Sequence, residues 1–181
     1  HPPFSWMKIM KFDALELQLI SNIILLIGVF VAIGTIVYNV RIAKKTQTAI
    51  FLFESRTDTR YAQSLKILKK VHSSGKSFRS FVFPPAGSPL TEEEIRECSK
   101  FQYILNFYER VAVTIQSGIY DEDMIKRTSY STVIDTWNIA EPLIKALREE
   151  MKSTNTYQEF EWLAGRWKSQ PLSAKRGWFF H

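Results

Sequence analysis

The chain has 181 residues, 45% of them apolar, and carries a formal net charge of +6. This length allows one membrane span and one small globular domain, and seven Gly and seven Pro are too few for a fibrous or disordered chain. The single cysteine excludes a disulfide framework and a multi-cysteine metal site, and His72 is the only histidine away from the chain ends, so we expect no cofactor held by such residues.

Residues 19–40, LISNIILLIGVFVAIGTIVYNV, contain no charged residue. About 20 apolar residues in a helix cross the hydrocarbon core of a bilayer. The run leaves no polar face for a soluble helix, so it predicts a transmembrane helix after an N-terminal tail of residues 1–18. Gly28 and Ala32 have the spacing at which small residues let two spans pack closely. They indicate either a homo-oligomer formed through the span or the ordinary frequency of small residues in spans.

Basic residues near the ends of the span predict its orientation. Lys8 and Lys11 precede it, whereas the segment that follows it contains Arg41, Lys44, Lys45, Arg56 and Arg60. This excess predicts a bacterial inner-membrane protein with its C-terminal domain in the cytoplasm. We expect Arg41, Lys44 and Lys45 to contact anionic lipid headgroups, and the alternative is that they are only solvated charges.

Residues 41–73 predict a basic, membrane-proximal helix that continues from the span. The segment has no Pro or Gly, and apolar residues recur at helical intervals at Ile50, Phe53, Tyr61, Leu65 and Leu68. Residues 41–79 hold ten Lys or Arg against two acidic residues. Such charge also suits nucleic-acid phosphates, but no recognition motif accompanies it, so nucleic acid is an unlikely partner.

Residues 74–90 predict a loop, because Pro84, Pro85, Gly87 and Pro89 interrupt any helix. A helical bundle over residues 91–168 is expected to follow. Thr91 and Glu94 have the spacing of a capping box, and Gly118 is expected to end the helix that they begin. This helix places Phe101, Leu105, Tyr108, Ala112, Ile115 and Ile119 on one apolar stripe.

The second half of the bundle has similar signals. Asp121 is expected to cap a helix in which Pro142 introduces a kink or a restart. Thr156 and Glu159 predict another capping box, for a last helix with Phe160, Leu163, Ala164 and Trp167 on one face. Residues 169–181 are expected to form a loose C-terminal tail.

The stretch NFYERVAVTIQSGIYDED, residues 106–123, admits two interpretations. In the first, it is a helical hairpin, with Tyr108 in the core and the acidic run at the start of a helix, where the dipole favours anions. In the second, Glu109, Asp121 and Asp123 converge as a general acid/base or a divalent-metal site. We favour the hairpin, because capping alone accounts for the acidic run.

Several short motifs carry a resemblance to a known family. They are N-F-Y-E-R at residues 106–110, S-G-I-Y-D-E-D at 117–123, Thr136-Trp137, F-E-W-L-A at 160–164 and Arg166-Trp167. The pattern resembles, over residues 19–168, a family of short bacterial proteins classed only as a domain of unknown function. The resemblance implies one N-terminal span and a helical cytoplasmic domain, and it implies no catalytic residues. Some members of that family occur in phage-related or defence settings.

The sequence thus predicts an all-α protein with one N-terminal transmembrane helix and a small cytoplasmic helical bundle. The expected function is a membrane-anchored interaction module, that is, a scaffold, sensor or regulatory subunit with an unidentified protein partner. The alternative is a divalent-metal-dependent hydrolase or nuclease of the phage-defence type that uses the three carboxylates.

Overall fold

The computed structural model describes residues 13–172, and every regular element in this range is helical. The elements are α1 (Ala14–Thr57), α2 (Thr59–Ser73), a short 3-10 helix (Phe78–Phe81), α3 (Glu92–Gln116), α4 (Glu122–Met151) and α5 (Gln158–Ser169). The predicted all-α class is therefore confirmed for the described residues. Residues 1–12 and 173–181, which include Lys8, Lys11 and most of the two predicted tails, lie outside them.

The described residues divide into two compact units, residues 13–43 and 44–172. In the first unit, α1 begins at Ala14, before the predicted start of the span, and the backbone N–H of Asp13 donates to the Glu16 carboxylate at 3.2 Å. Within residues 13–172, α1 is the one helix long and apolar enough to cross a membrane, and none of its most apolar window is buried.

The second unit contains the hydrophobic core. Its largest fully buried side chains are Trp167, Tyr108, Phe101 and Phe160. The Tyr108 ring stacks on the Phe160 ring at a centroid distance of 4.9 Å, and the Trp137 ring meets Phe160 edge-on at 5.2 Å. Such pairs add about 0.5–1.5 kcal/mol each beyond the apolar area that they bury. Helices α3, α4 and α5 are thus joined through one aromatic cluster.

The apolar stripes predicted for α3 and α5 lie in this core, with one exception. Residues Phe101 to Ile115 of the α3 stripe are buried, but Ile119 is 51% exposed. The reason is that α3 ends at Gln116 and the chain turns at Gly118, which has a φ of 73°. Ile119 therefore no longer follows the helical periodicity.

The segment predicted as one helix over residues 41–73 is two helices that meet at Asp58. The Asp58 carboxylate accepts hydrogen bonds from the backbone N–H groups of Arg60 at 2.8 Å and Tyr61 at 3.2 Å, and so caps α2. It also accepts a hydrogen bond from the Tyr103 hydroxyl of α3, which lowers the pKa of Asp58. The single-helix prediction fails here because an aspartate side chain satisfies the first N–H groups of a new helix.

The segment predicted as a loop over residues 74–90 contains the 3-10 helix. Phe78 and Phe81 on this turn are buried, and both rings pack edge-on against Phe101, with centroid distances of 5.4 and 5.1 Å. The segment therefore belongs to the core, although its prolines exclude a regular α-helix.

Helix ends inside the bundle follow the local predictions except at α5. Thr91 and Glu94 form the capping box, and Asp121 accepts from the N–H of Met124 at 3.1 Å. Helix α4 continues through Pro142 without a restart. The capping box predicted at Thr156 and Glu159 is wrong, because α5 begins at Gln158 after a left-handed Tyr157 and has no such side-chain cap.

Candidate functional site

Glu109 caps the N-terminus of α5, which has no capping side chain at its own N-cap residue. Its carboxylate, on α3, accepts hydrogen bonds from the backbone N–H of Phe160 at 2.8 Å and of Glu159 at 3.4 Å. The first N–H groups of a helix have no partner within it, and the helix dipole attracts an anion there. Glu109 is therefore bound to the N-terminus of a helix that begins about fifty residues later in the chain.

The groups around Glu109 have opposing effects on the pKa of its carboxyl. Burial raises the pKa of this carboxyl, and the negative charge of Glu159 adds to the rise. The two backbone N–H groups and the guanidinium of Arg148 oppose it without cancelling it. The folded protein thus holds a half-buried acidic group whose charge is only partly compensated.

The other two candidate carboxylates serve different helix ends. Asp121 caps α4, and its own backbone N–H donates to the buried Thr48 hydroxyl of α1 at 2.7 Å. Asp123 forms an ion pair with Arg127, one turn later, at 2.7 Å. Among residues 13–172, no group of three His, Cys, Asp or Glu side chains is arranged to hold a metal ion. The structure therefore does not unite Glu109, Asp121 and Asp123 in a metal-binding group.

Glu122 has a role that sequence reasoning did not assign. Its carboxylate accepts from the Arg166 guanidinium at 2.8 and 3.2 Å and from the Trp167 indole N–H at 3.1 Å. This connection ties the start of α4 to the end of α5. No local signal marks it, because the partners are more than forty residues apart.

A cavity of about 550 Å³ lies beside Glu109. Its walls come from the 3-10 helix, α3, α4 and the α4–α5 loop, and its apolar surface includes Phe81, Phe101, Leu105, Leu143, Leu147 and Tyr157. Pockets of about 300–1,000 Å³ with mostly apolar walls and a few polar groups are typical of small-molecule sites. Sequence reasoning missed this cavity, because four separate segments form it.

The α4–α5 loop forms one wall of the cavity in an uncommon backbone conformation. Tyr157 has a φ of 57°, in the left-handed region that residues with a Cβ rarely adopt. The Arg148 guanidinium donates to the backbone carbonyl of Thr156 at 2.9 Å and to the Glu161 carboxylate at 2.7 Å. These contacts hold the loop against α4 while Tyr157 lines the cavity.

Cys98, the single cysteine of the chain, also lines this cavity. Burial raises the pKa of its thiol, and the charges of Glu94 and Glu97 raise it further. The thiol is therefore mostly protonated at neutral pH, which is the opposite of what an activated cysteine nucleophile requires.

The predicted membrane residues lie on α1. Gly28 and Ala32 are exposed, and a Cβ placed on Gly28 would meet no atom within 4 Å. Arg41 and Lys45 are exposed, whereas Lys44 is half-buried and its carbonyl accepts from the Thr48 hydroxyl at 2.8 Å. Headgroup contact and pairing of spans stay predictions.

Comparison with known proteins gives one match. Neither the curated proteins nor the solved structures contain a match to this chain. A family model described as "Domain of unknown function (DUF4760)" matches residues 22–167, which is most of the chain and includes most of the predicted span, the cap at Glu109 and the cavity. The chain therefore belongs to the DUF4760 family.

Proposed function

We propose that the protein is a membrane-anchored helical interaction module, a scaffold, sensor or regulatory subunit whose bundle binds another protein. One observation carries the anchoring: the apolar part of α1 is long enough to span a bilayer and has none of its most apolar window buried. A soluble protein would bury such a surface, because each Å² of exposed apolar area costs roughly 25 cal/mol in water.

The proposed location is a bacterial inner membrane, with the bundle in the cytoplasm. Its support is the excess of basic residues after the span, including Arg41, Lys44 and Lys45. Each Lys or Arg close to an anionic leaflet contributes about 1 kcal/mol of attraction. The exposed Gly28 and Ala32 support a second proposed contact, the pairing of two copies through their spans.

Anchoring is tested by alkaline extraction of membranes from cells that express the full chain. We expect the wild type to stay in the membrane pellet and an Ile27→Arg/Val31→Arg variant to be lost from it, since each arginine at the centre of a span costs about 2.5–3.5 kcal/mol. The matched control is Ile27→Ala/Val31→Ala, which keeps an uncharged helix. Release of the wild type by alkali would refute the anchor.

Orientation is tested with a thiol reagent that does not cross membranes. Glu92 has a side chain that is 93% exposed, so Glu92→Cys in a Cys98→Ser background gives one accessible thiol in the bundle. Labelling in inside-out vesicles but not in intact spheroplasts is expected. The reverse pattern would place the bundle on the other side of the membrane.

The metal-dependent hydrolase would need Glu109, Asp121 and Asp123 to act on one ion, but each of them contacts a different group. The two functions are separated by thermal unfolding with and without Mn²⁺. A metal site raises the melting temperature through mass action, by an amount that grows with the Mn²⁺ concentration. An interaction module gives no such rise, and a rise abolished by Asp121→Asn would favour the hydrolase.

A further inference from the structure

We propose that the cavity beside Glu109 is a binding site for a small amphipathic amine, with an apolar body between α3 and α4 and an ammonium group at the carboxylates of Glu109 and Glu150. This inference concerns the bundle alone. It does not depend on the membrane anchor, and its experiment gives the same answer wherever the protein resides in the cell.

The walls of the cavity indicate the apolar body. Val82, Leu147 and Tyr157 line about 550 Å³ of space, enough for a molecule of drug-like size, and each is only half-buried, so a ligand can contact them. Met151 lines the cavity and is 62% exposed, so the space opens to solvent and a ligand can enter.

The polar groups of the cavity indicate the charge of the ligand. Among the described residues that line it, the charged side chains are Glu109 and Glu150, and none is basic. The nearby Arg148 is bound to Thr156 and Glu161. The charged group of an anionic ligand would thus be repelled by these two carboxylates, whereas an ammonium group would gain charge-assisted hydrogen bonds.

Two amides add hydrogen-bonding capacity beside the carboxylates. Gln102 and Asn106 line the cavity one turn apart on α3 and are exposed. Within residues 13–172, no hydrogen bond satisfies either side chain, so both are available to a ligand. A few convergent polar groups on an otherwise apolar wall fix the orientation of a bound molecule.

Cys98 provides a reporter inside the site. Because it is the single cysteine, the rate at which iodoacetamide alkylates the full-length chain in a nonionic detergent reports access to the cavity. The probes are 4-phenylbutylammonium and 4-phenylbutanoate, which share an apolar body and differ in charge. Glutathione in the same detergent corrects for any effect of the probes on the reagent.

Whether the alkylation rate of Cys98 falls or rises distinguishes a probe that fills the cavity from one that only changes the charge near the thiol. A cation near the thiol, without occlusion, would stabilise the thiolate and accelerate alkylation. A bound probe instead blocks access, so the rate falls about ten-fold at a concentration ten times the dissociation constant. We expect the ammonium probe to protect Cys98 at concentrations about ten-fold lower than the carboxylate probe, the difference expected of one charge-assisted hydrogen bond.

Variants assign the effect to the cavity. Leu147→Trp fills the space and should abolish protection, while Glu150→Gln should remove much of the preference for the ammonium probe. Glu109→Gln should act in the same way where circular dichroism shows the helices intact. Asp135→Asn removes an exposed carboxylate from α4 outside the cavity and should leave protection unchanged.

The proposal is overturned by any of three results. The two probes protect equally, protection survives Leu147→Trp, or neither probe protects Cys98 at millimolar concentration. Equal protection would mean an apolar site without charge selectivity, and survival in Leu147→Trp would place the probe elsewhere.

Discussion

Replacing Glu109 by Ala removes the acceptor that caps α5. Loss of an N-cap costs about 0.5–2 kcal/mol, and a hydrogen bond to a charged group contributes about 1.5–3 kcal/mol. The bond to Phe160 N–H at 2.8 Å has full strength, whereas the one to Glu159 N–H at 3.4 Å is long and adds little. The desolvation of the ionised carboxylate offsets part of this gain, so we expect the free energy of unfolding to fall by about 2 kcal/mol near pH 4 and by less at neutral pH.

The assay is urea unfolding of the full-length chain in a nonionic detergent, followed by tryptophan fluorescence. Trp137 and Trp167 are buried in the cluster that α5 completes, so their emission reports the loss of that helix. Glu150→Ala is the matched control, since it removes an exposed carboxylate of the same cavity that caps no helix, and it should change stability by less than about 0.5 kcal/mol. If Glu109→Ala costs no more than Glu150→Ala, the carboxylate does not hold α5.

Further predictions concern pH and backbone strain. Burial raises the pKa of Glu109, so the folded bundle holds this proton more tightly than the unfolded chain. The advantage of the wild type over Glu109→Gln in urea unfolding should therefore fall as the pH rises from about 4 towards neutrality, and a constant difference would contradict this. The hydrogen bond from Tyr103 lowers the pKa of Asp58, so the stability that Asp58 contributes should depend on pH in the opposite direction to that of Glu109. The advantage of the wild type over Asp58→Asn should be complete above about pH 5 and shrink as the pH falls through the folded-state pKa. A difference that does not change with pH would contradict the Tyr103 contact. Gly118 has a φ of 73° and open space around an added Cβ, so Gly118→Ala should lower stability in thermal unfolding by roughly 0.5–1 kcal/mol through backbone strain alone. Lys152, an exposed residue with a φ of 49°, should show the opposite: Lys152→Gly stabilises by about 0.5 kcal/mol and Lys152→Ala does not, whereas equal effects would exclude strain as the cause.

The helix ends that the sequence predicts correctly depend on residues close together in the chain. Thr91 and Glu94 satisfy one another across a single turn, and Asp121 caps an N–H three residues later. The break at Asp58 is also local, and the residue type is a strong N-cap signal. The sequence prediction missed this break because apolar residues recur at helical intervals both before and after Asp58. Hydrophobic periodicity does not reveal where one helix ends and the next begins.

The contacts that the sequence does not predict join residues far apart. Glu109 and Phe160, or Glu122 and Arg166, meet only after α3, α4 and α5 have packed together. The cavity depends on the same packing, since its walls come from four segments. Composition and spacing carry no information on which distant helix end a carboxylate will reach, so the role of Glu109 as the cap of α5 could not be predicted.

Capping of α5 and the proposed ligand binding both depend on the charge of the Glu109 carboxylate. The pKa of the carboxyl is raised because burial outweighs the stabilisation that the helix N–H groups provide. An ammonium group bound in the cavity would add a positive charge there and favour the ionised form, which lowers the pKa. The loss of stability that we predict between about pH 4 and neutrality should therefore shrink when 4-phenylbutylammonium is present and should not shrink with 4-phenylbutanoate. A probe that protects Cys98 but leaves this pH dependence intact would bind in the cavity away from Glu109, and Glu150 would then be the residue that selects the cation.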